Sequence, residues 1–279
     1  MINWTFVRQV GPFSWLLRNC NRQFHKRVLR RDMTMKLPTG LRMILPLASH
    51  SASEAYVTGA NTDWGSEAVF AKFADAGRDC LDVGAHIGYY SAYLSPLVRR
   101  VYAFEPSLEN LRNLRKNAAI AGNIEVLDLA VSSYEGKATF YMGSGSAVGS
   151  LNDVGGEMTE VSVTTIDSFA AAHPALDVAL IKIDVEGQDI EVLRGMQKTV
   201  ANYQPLILTE CDYSSDLVAL CRRWNYGIFA FACDRKTLDT RFEQMRAVNA
   251  DDWCKMLFLV PARLKLDFEL LTKTGPNAR

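Results

Sequence analysis

Carboxylates recur where short apolar segments end. Asp82 closes Cys80-Leu81-Asp82, Glu105 follows Val101-Tyr102-Ala103-Phe104, Asp184 follows Ile181-Lys182-Ile183, and Glu210 follows Leu206-Ile207-Leu208-Thr209. Beyond Asp82 come Gly84 and Gly88 with three residues between them, then a helix-like stretch. Carboxylates so placed can hold hydroxyl, ammonium or sulfonium groups through charge-assisted contacts. A glycine turn that opens a helix aims backbone N–H groups at a ligand. Together these features point to a nucleoside-bearing cofactor.

The flanking pattern supplies elements to position them. Apolar runs ending near residues 82 and 105, and at 124–131, 178–184 and 206–209, read as strands, with segments of helical period between them. Leu108, Leu111, Leu114 and Ala118 mark one helix, and Gly122 its stop. A hairpin is expected at 33–47, a helix at 63–76, further strands at 137–142 and 160–165, and late strands at 226–232 and 256–260. This alternation predicts an α/β fold, an open sheet with helices on both faces. Ligands in such sheets bind at the carboxyl ends of the strands. Asp82, Glu105, Ala130, Asp184 and Glu210 all fall there, so one cleft is expected to contain the chemistry.

Three cofactor classes compete for the loop. A dinucleotide site wants G-x-G-x-x-G, and a P-loop wants a lysine after its last glycine; the chain has neither. S-adenosylmethionine fits better. Backbone groups of Gly84, Ala85, His86 and Gly88 would meet its carboxylate, and Asp82 its ammonium, directly or through water. Glu105, next to Pro106, would take the ribose diol with two bonds, and Asp128 and Ala130 would flank the adenine. An NAD-linked oxidoreductase and a cofactor-binding module without turnover remain the alternatives.

Three blocks carry a resemblance: Asp82-Val83-Gly84-Ala85-His86-Ile87-Gly88-Tyr89-Tyr90; Phe104-Glu105-Pro106; and Ile181-Lys182-Ile183-Asp184-Val185-Glu186-Gly187 between Thr165-Ile166-Asp167-Ser168-Phe169 and Glu191-Val192-Leu193-Arg194-Gly195. The chain resembles the FkbM-type family of S-adenosylmethionine-dependent methyltransferases over about residues 34–261. The resemblance implies a Rossmann-like class I methyltransferase fold, with a mostly parallel central sheet and a late antiparallel strand. It also implies methyl transfer to a hydroxyl of a sugar, glycan or natural product. By position in the family's Asp-x-Glu-Gly block, Asp184 is the first candidate to orient or deprotonate that hydroxyl, and Glu186 is the second, unless it caps the helix near Gln188. His86 stands where the family usually has asparagine. Asp184, Glu186 and Glu210 form an oxygen-rich set suited to Mg²⁺, but three carboxylates are no signature and a metal is not favoured.

Composition bounds the remainder. The chain has 279 residues, formal net charge +0 and six cysteines without C-x-x-C spacing. Zero net charge gives no electrostatic footprint for a nucleic-acid partner. Scattered thiols suit a reducing, cytoplasmic setting. Residues 1–32 read as a basic amphipathic extension that either contacts an anionic membrane surface or packs on its own domain. Residues 33–261 then form the methyltransferase domain and 262–279 a tail. The loop 143–156, rich in glycine and serine, is a candidate lid.

Overall fold

The computed structural model describes residues 4–143, 149–153, 155–247 and 249–275. Helices α1 (Trp4–Val10) and α2 (Pro12–Phe24), with a π-helical turn at His25–Leu29, precede the hairpin β1 (Met33–Lys36) and β2 (Arg42–Leu45). Then come α3 (His50–Thr58), α4 (Ser66–Lys72), β3 (Asp79–Val83), α5 (Tyr89–Leu94), β4 (Arg100–Phe104), α6 (Leu108–Ala121) and β5 (Ile124–Leu127). A side sheet follows: β6 (Ala130–Val131), β7 (Gly136–Met142), β8 (Gly149–Ser150) and β9 (Glu157–Thr164). The chain continues through α7 (Ile166–Ala172), β10 (Val178–Ile183), α8 (Asp189–Arg194), α9 (Gln197–Tyr203), β11 (Leu206–Thr209) and α10 (Ser215–Trp224). It closes with β12 (Tyr226–Asp234), β13 (Thr240–Gln244), β14 (Asp252–Pro261) and α11 (Lys265–Thr274).

The central sheet has eight strands in the order β13-β12-β14-β11-β10-β3-β4-β5. Strands β11, β10, β3, β4 and β5 run parallel, and β14, β12 and β13 add antiparallel pairs at one edge. Every residue of β10 is buried, as a strand covered on both faces requires. Two-residue alternation sorts the core. Cys80, Leu180 and Leu208 pack on one face, Leu81, Ile181 and Ile207 on the other. Helix α6 starts where Ser107 Oγ accepts the Asn110 N–H and stops at left-handed Gly122.

Four features differ from the sequence pattern. The expected strand 124–131 breaks at Asp128-Leu129, so β5 joins the central sheet while β6 pairs with β9. Strands 136–142 and 157–164 build that separate side sheet with β6 and β8. The antiparallel edge adds β13 to the late strands expected at 226–232 and 256–260. Residues after Pro261 are not a mere tail, because α11 buries Phe268 among Phe73, Phe229, Phe242 and Phe258. Burial of such a ring contributes about 1.5–3 kcal/mol.

Candidate active site

The carboxyl ends of β3, β4, β10 and β11 face a cavity of about 300 Å³, the position a parallel sheet reserves for ligands. Its floor follows from strand register. Lys182 on β10 pairs with Asp82 on β3, so their side chains share a face, and Asp184 lies two residues further on that face. Lys182 Nζ lies 3.7 Å from Asp82 Oδ1 and 3.2 Å from Asp184 Oδ2, and donates to the Gly84 carbonyl at 2.9 Å. Burial opposes the ammonium charge, but Asp184 and Asp82 outweigh it and hold the Lys182 pKa above its ordinary value.

Asp82 does not reach the cavity wall. It is wholly buried, with Oδ2 accepting the Ser91 hydroxyl at 2.6 Å. The strand period sends its side chain under the loop toward Lys182, so this expected ammonium ligand serves the floor instead. Gly84 lets the loops close over that pair. Its φ is +73°, and a Cβ there would stand 1.8 Å from the Asp184 carbonyl oxygen, so only glycine fits.

His86 also has positive φ, +53°. Asparagine and histidine are both enriched in that region among non-glycine residues, which accounts physically for His86 at a position where the family usually carries asparagine. Its ring Nδ1 lies 3.1 Å from Ser51 Oγ. Its backbone N–H donates to Glu105 Oε2 at 2.8 Å.

Glu105 lines the cavity with most of its acceptor capacity in use. Oε1 accepts the Ser107 N–H at 2.9 Å and Asn110 Nδ2 at 3.4 Å. A carboxylate has about four acceptor sites, so these three donors leave one on Oε2. The structure thus offers a single further bond where two to a diol were expected. Burial, opposed by those bonds, pushes the Glu105 pKa up.

Asp184 and Glu210 are neighbours across β10 and β11. Burial opposes the Asp184 charge, but Lys182 and a bond from Glu210 hold its pKa below the usual carboxylate range. Burial and the Asp184 charge push Glu210 up to about 9. At neutral pH Asp184 is therefore the anion and Glu210 holds the proton. Glu186 lines the same wall in a left-handed conformation, φ +51°. It does not cap α8, whose N-cap is Gln188 without a side-chain bond. Its carbonyl accepts the Ser150 hydroxyl at 2.9 Å.

Gly84, Ala85, His86, Glu105, Pro106, Ala130, Asp184 and Glu186 thus meet at one cavity. Gly88 stands behind it as the N-cap of α5. Asp128 is exposed and Leu129 lines the wall in its place, because the chain bends between β5 and β6. Gly149 and Leu151 approach from the candidate lid; its residues 144–148 and 154 lie outside the described residues.

Several lining groups carry no sequence motif. Ser51 and Glu54 come from α3, Asp63 from the turn before α4 and Lys255 from β14. Asp63 accepts the Tyr90 hydroxyl at 2.7 Å and faces Lys255 at 3.9 Å. Burial, partly offset by Lys255, pushes its pKa up. Of these, Lys255 alone interrupts an apolar run, Trp253 to Val260. Among the described residues, no His, Cys, Asp and Glu grouping could hold a metal ion, and no helix is long and apolar enough to cross a membrane.

A model of the methyltransferase FkbM domain matches residues 82–247, more than half of the chain. The chain belongs to the FkbM methyltransferase family. A curated relative, the hexuronic acid methyltransferase AglP of Haloferax volcanii, is 29% identical over 129 residues, 46% of this chain. The match spans 53% of that relative, about half its length. An FkbM methyltransferase structure from Methylobacillus flagellatus aligns over 75% of this chain and 54% of its own, with 16% identity and a TM-score of 0.43. The tRNA (uracil-54, C5)-methyltransferase of Pyrococcus abyssi, solved with S-adenosyl-L-homocysteine, aligns over 71% of this chain and 38% of its own, with 12% identity and a TM-score of 0.40. Asp184, Val185 and Glu186 of the FkbM block line the cavity beside the Gly84 loop.

Proposed function

We propose that this FkbM methyltransferase transfers a methyl group from S-adenosylmethionine to a hydroxyl of a sugar or glycan. The carrying observation is the acid-rich wall: Glu105, Asp184, Glu186, Glu210 and Asp63 line one cavity with Lys182 and Lys255 as its ammonium groups. These acceptor groups around anionic Asp184 suit a cation with hydroxyls, and the loop lacks the G-x-G-x-x-G turn of a pyrophosphate site, which disfavours an NAD-linked reading. Backbone groups of Gly84, Ala85 and His86 and the carboxylate of Glu105 would hold the cofactor, with Leu129 and Ala130 beside the base. When bound, S-adenosylmethionine supplies a sulfonium-activated methyl group for in-line displacement.

The protein's part is alignment. Asp184, kept anionic by Lys182, is a weak base and a fixed acceptor. It would take the O–H of the incoming hydroxyl and aim the oxygen, and alignment supplies much of the rate. The hexuronic acid named for the Haloferax relative supports a carbohydrate acceptor, and Lys255 at the cavity rim would face a uronic carboxylate.

Calorimetry with S-adenosylmethionine and turnover of labelled methyl into uronic-acid oligosaccharides test the proposal. Glu105→Gln should weaken cofactor binding by about 10-fold or more, the loss of a charge-assisted bond. Asp184→Asn should keep measurable binding and lower turnover by about 10²–10⁴. Parent-level turnover in Asp184→Asn, or no response to S-adenosylmethionine, defeats the reading. A bound cation favours ionised Glu210, so cofactor affinity should rise with pH toward about 9. Glu210→Gln should flatten that rise.

A further inference from the structure

The helical arm turns its apolar side outward. On the inner side of α2, Arg22 is fully buried and donates to the Pro46 carbonyl at 2.6 Å and to Ser53 Oγ at 3.1 Å. One turn earlier, Arg18 donates to the Val57 carbonyl at 3.1 Å. On the other side Phe13, Leu17, Phe24 and Val28 recur at helical spacing and are 73%, 54%, 50% and 63% exposed. Leu16 and Leu29 widen the stripe. This inverts the ordinary surface helix, which buries its apolar stripe and exposes its charges.

Charge says what suits this face. Arg27, Arg30 and Arg31 are exposed at its far end beside half-buried Lys26. Burial, with Arg22 and Arg27 adding to it, holds the Lys26 pKa below its ordinary value. Asp32, the one acid between residues 1 and 36, already accepts the Leu47 N–H at 2.8 Å. Leucine and phenylalanine beside a rim of arginine is the composition of a helix lying in an anionic headgroup layer.

We propose that α2 and the His25–Leu29 turn dock on an anionic lipid surface, with Phe13, Leu17, Phe24 and Val28 entering the acyl boundary and Arg27, Arg30 and Arg31 meeting lipid phosphates. The docking does not depend on the reaction assigned to the cavity.

Co-sedimentation of the full chain with phosphatidylglycerol vesicles, and with phosphatidylcholine vesicles as reference, tests it. Binding should favour phosphatidylglycerol by about 10-fold or more and weaken as salt rises. The double variant Arg27→Gln, Arg30→Gln should bind phosphatidylglycerol about 30-fold less tightly. Phe13→Ser with Leu17→Ser should lower binding by about 100-fold. All four side chains are exposed, so unchanged thermal unfolding should accompany both losses. No binding of the folded parent to phosphatidylglycerol overturns the proposal, as does parent-level binding by the Phe13, Leu17 variant. A concentration-dependent dimer in place of vesicle binding, abolished by that variant, also overturns it and assigns the face to a second copy of the chain.

Discussion

The cavity floor and the helical arm solve the problem of a buried cation in different ways. At the floor, Lys182 is buried against two carboxylates that strand register delivers to it, Asp82 across the ladder and Asp184 two residues on. In the arm, Arg22 is buried with neutral partners, a serine hydroxyl and the carbonyls of Leu45 and Pro46. The first arrangement leaves two acids committed and a charged wall above them. The second spends the polar side of a helix on the interior and leaves its apolar side facing out. A parallel sheet creates charge pairs by alignment, whereas a helix added to its flank must find partners among free backbone carbonyls.

The largest test of this contrast is Lys182→Met. It strands Asp82 and Asp184 without their cation and should cost about 3–5 kcal/mol in urea unfolding. A loss below about 1 kcal/mol would mean that the floor tolerates unpaired acids. Arg22→Met should cost less, about 1–3 kcal/mol, because it leaves neutral carbonyls unsatisfied instead of charges. Leu17→Ser, on the outward side of the same helix, should stay within about 0.5 kcal/mol of the parent. If Leu17→Ser costs as much as Arg22→Met, the two sides of α2 have been misassigned.

Glu67 is the corresponding case of a buried acid. It is buried, and its Oε1 accepts from Thr62, the Asp63 N–H and the Tyr89 hydroxyl, all neutral donors. Burial and neighbouring Asp63 push its pKa from 4.5 to about 7. An acid whose folded pKa is raised gives stability that is full below its unfolded pKa and lost as pH rises through the folded one. Between about pH 4.5 and 7 the parent should therefore lose stability relative to Glu67→Gln, by on the order of 2–3 kcal/mol. Parallel pH profiles for the two proteins would show that Glu67 stays ionised.

The cavity was legible where strand ends carried the information. Gly84, Glu105 and Asp184 sit where apolar runs stop, and parallel topology brings such ends together. Asp82 obeys the same rule but points below the loop, because position along a strand fixes the face as well as the end. Ser51, Glu54, Asp63 and Lys255 were illegible for another reason. They reach the cavity from α3, the turn before α4 and β14, elements that only tertiary packing carries there. Strand β13 escaped notice because Thr240–Gln244 is a short, polar edge. Helix α11 was hidden because Leu266 and Leu270 are 68% and 49% exposed, so its apolar residues do not share one inward face.

The backbone contact between Gly84 and the Asp184 carbonyl has a consequence for redesign. The Gly84 turn and the Asp184 turn touch main chain to main chain, so Gly84 cannot gain a side chain and neither turn can be lengthened without moving the other. Under the proposed function, altered acceptor preference is therefore to be sought across the cavity, at Ser51 and Glu54 of α3, Asp63 and Lys255 of β14.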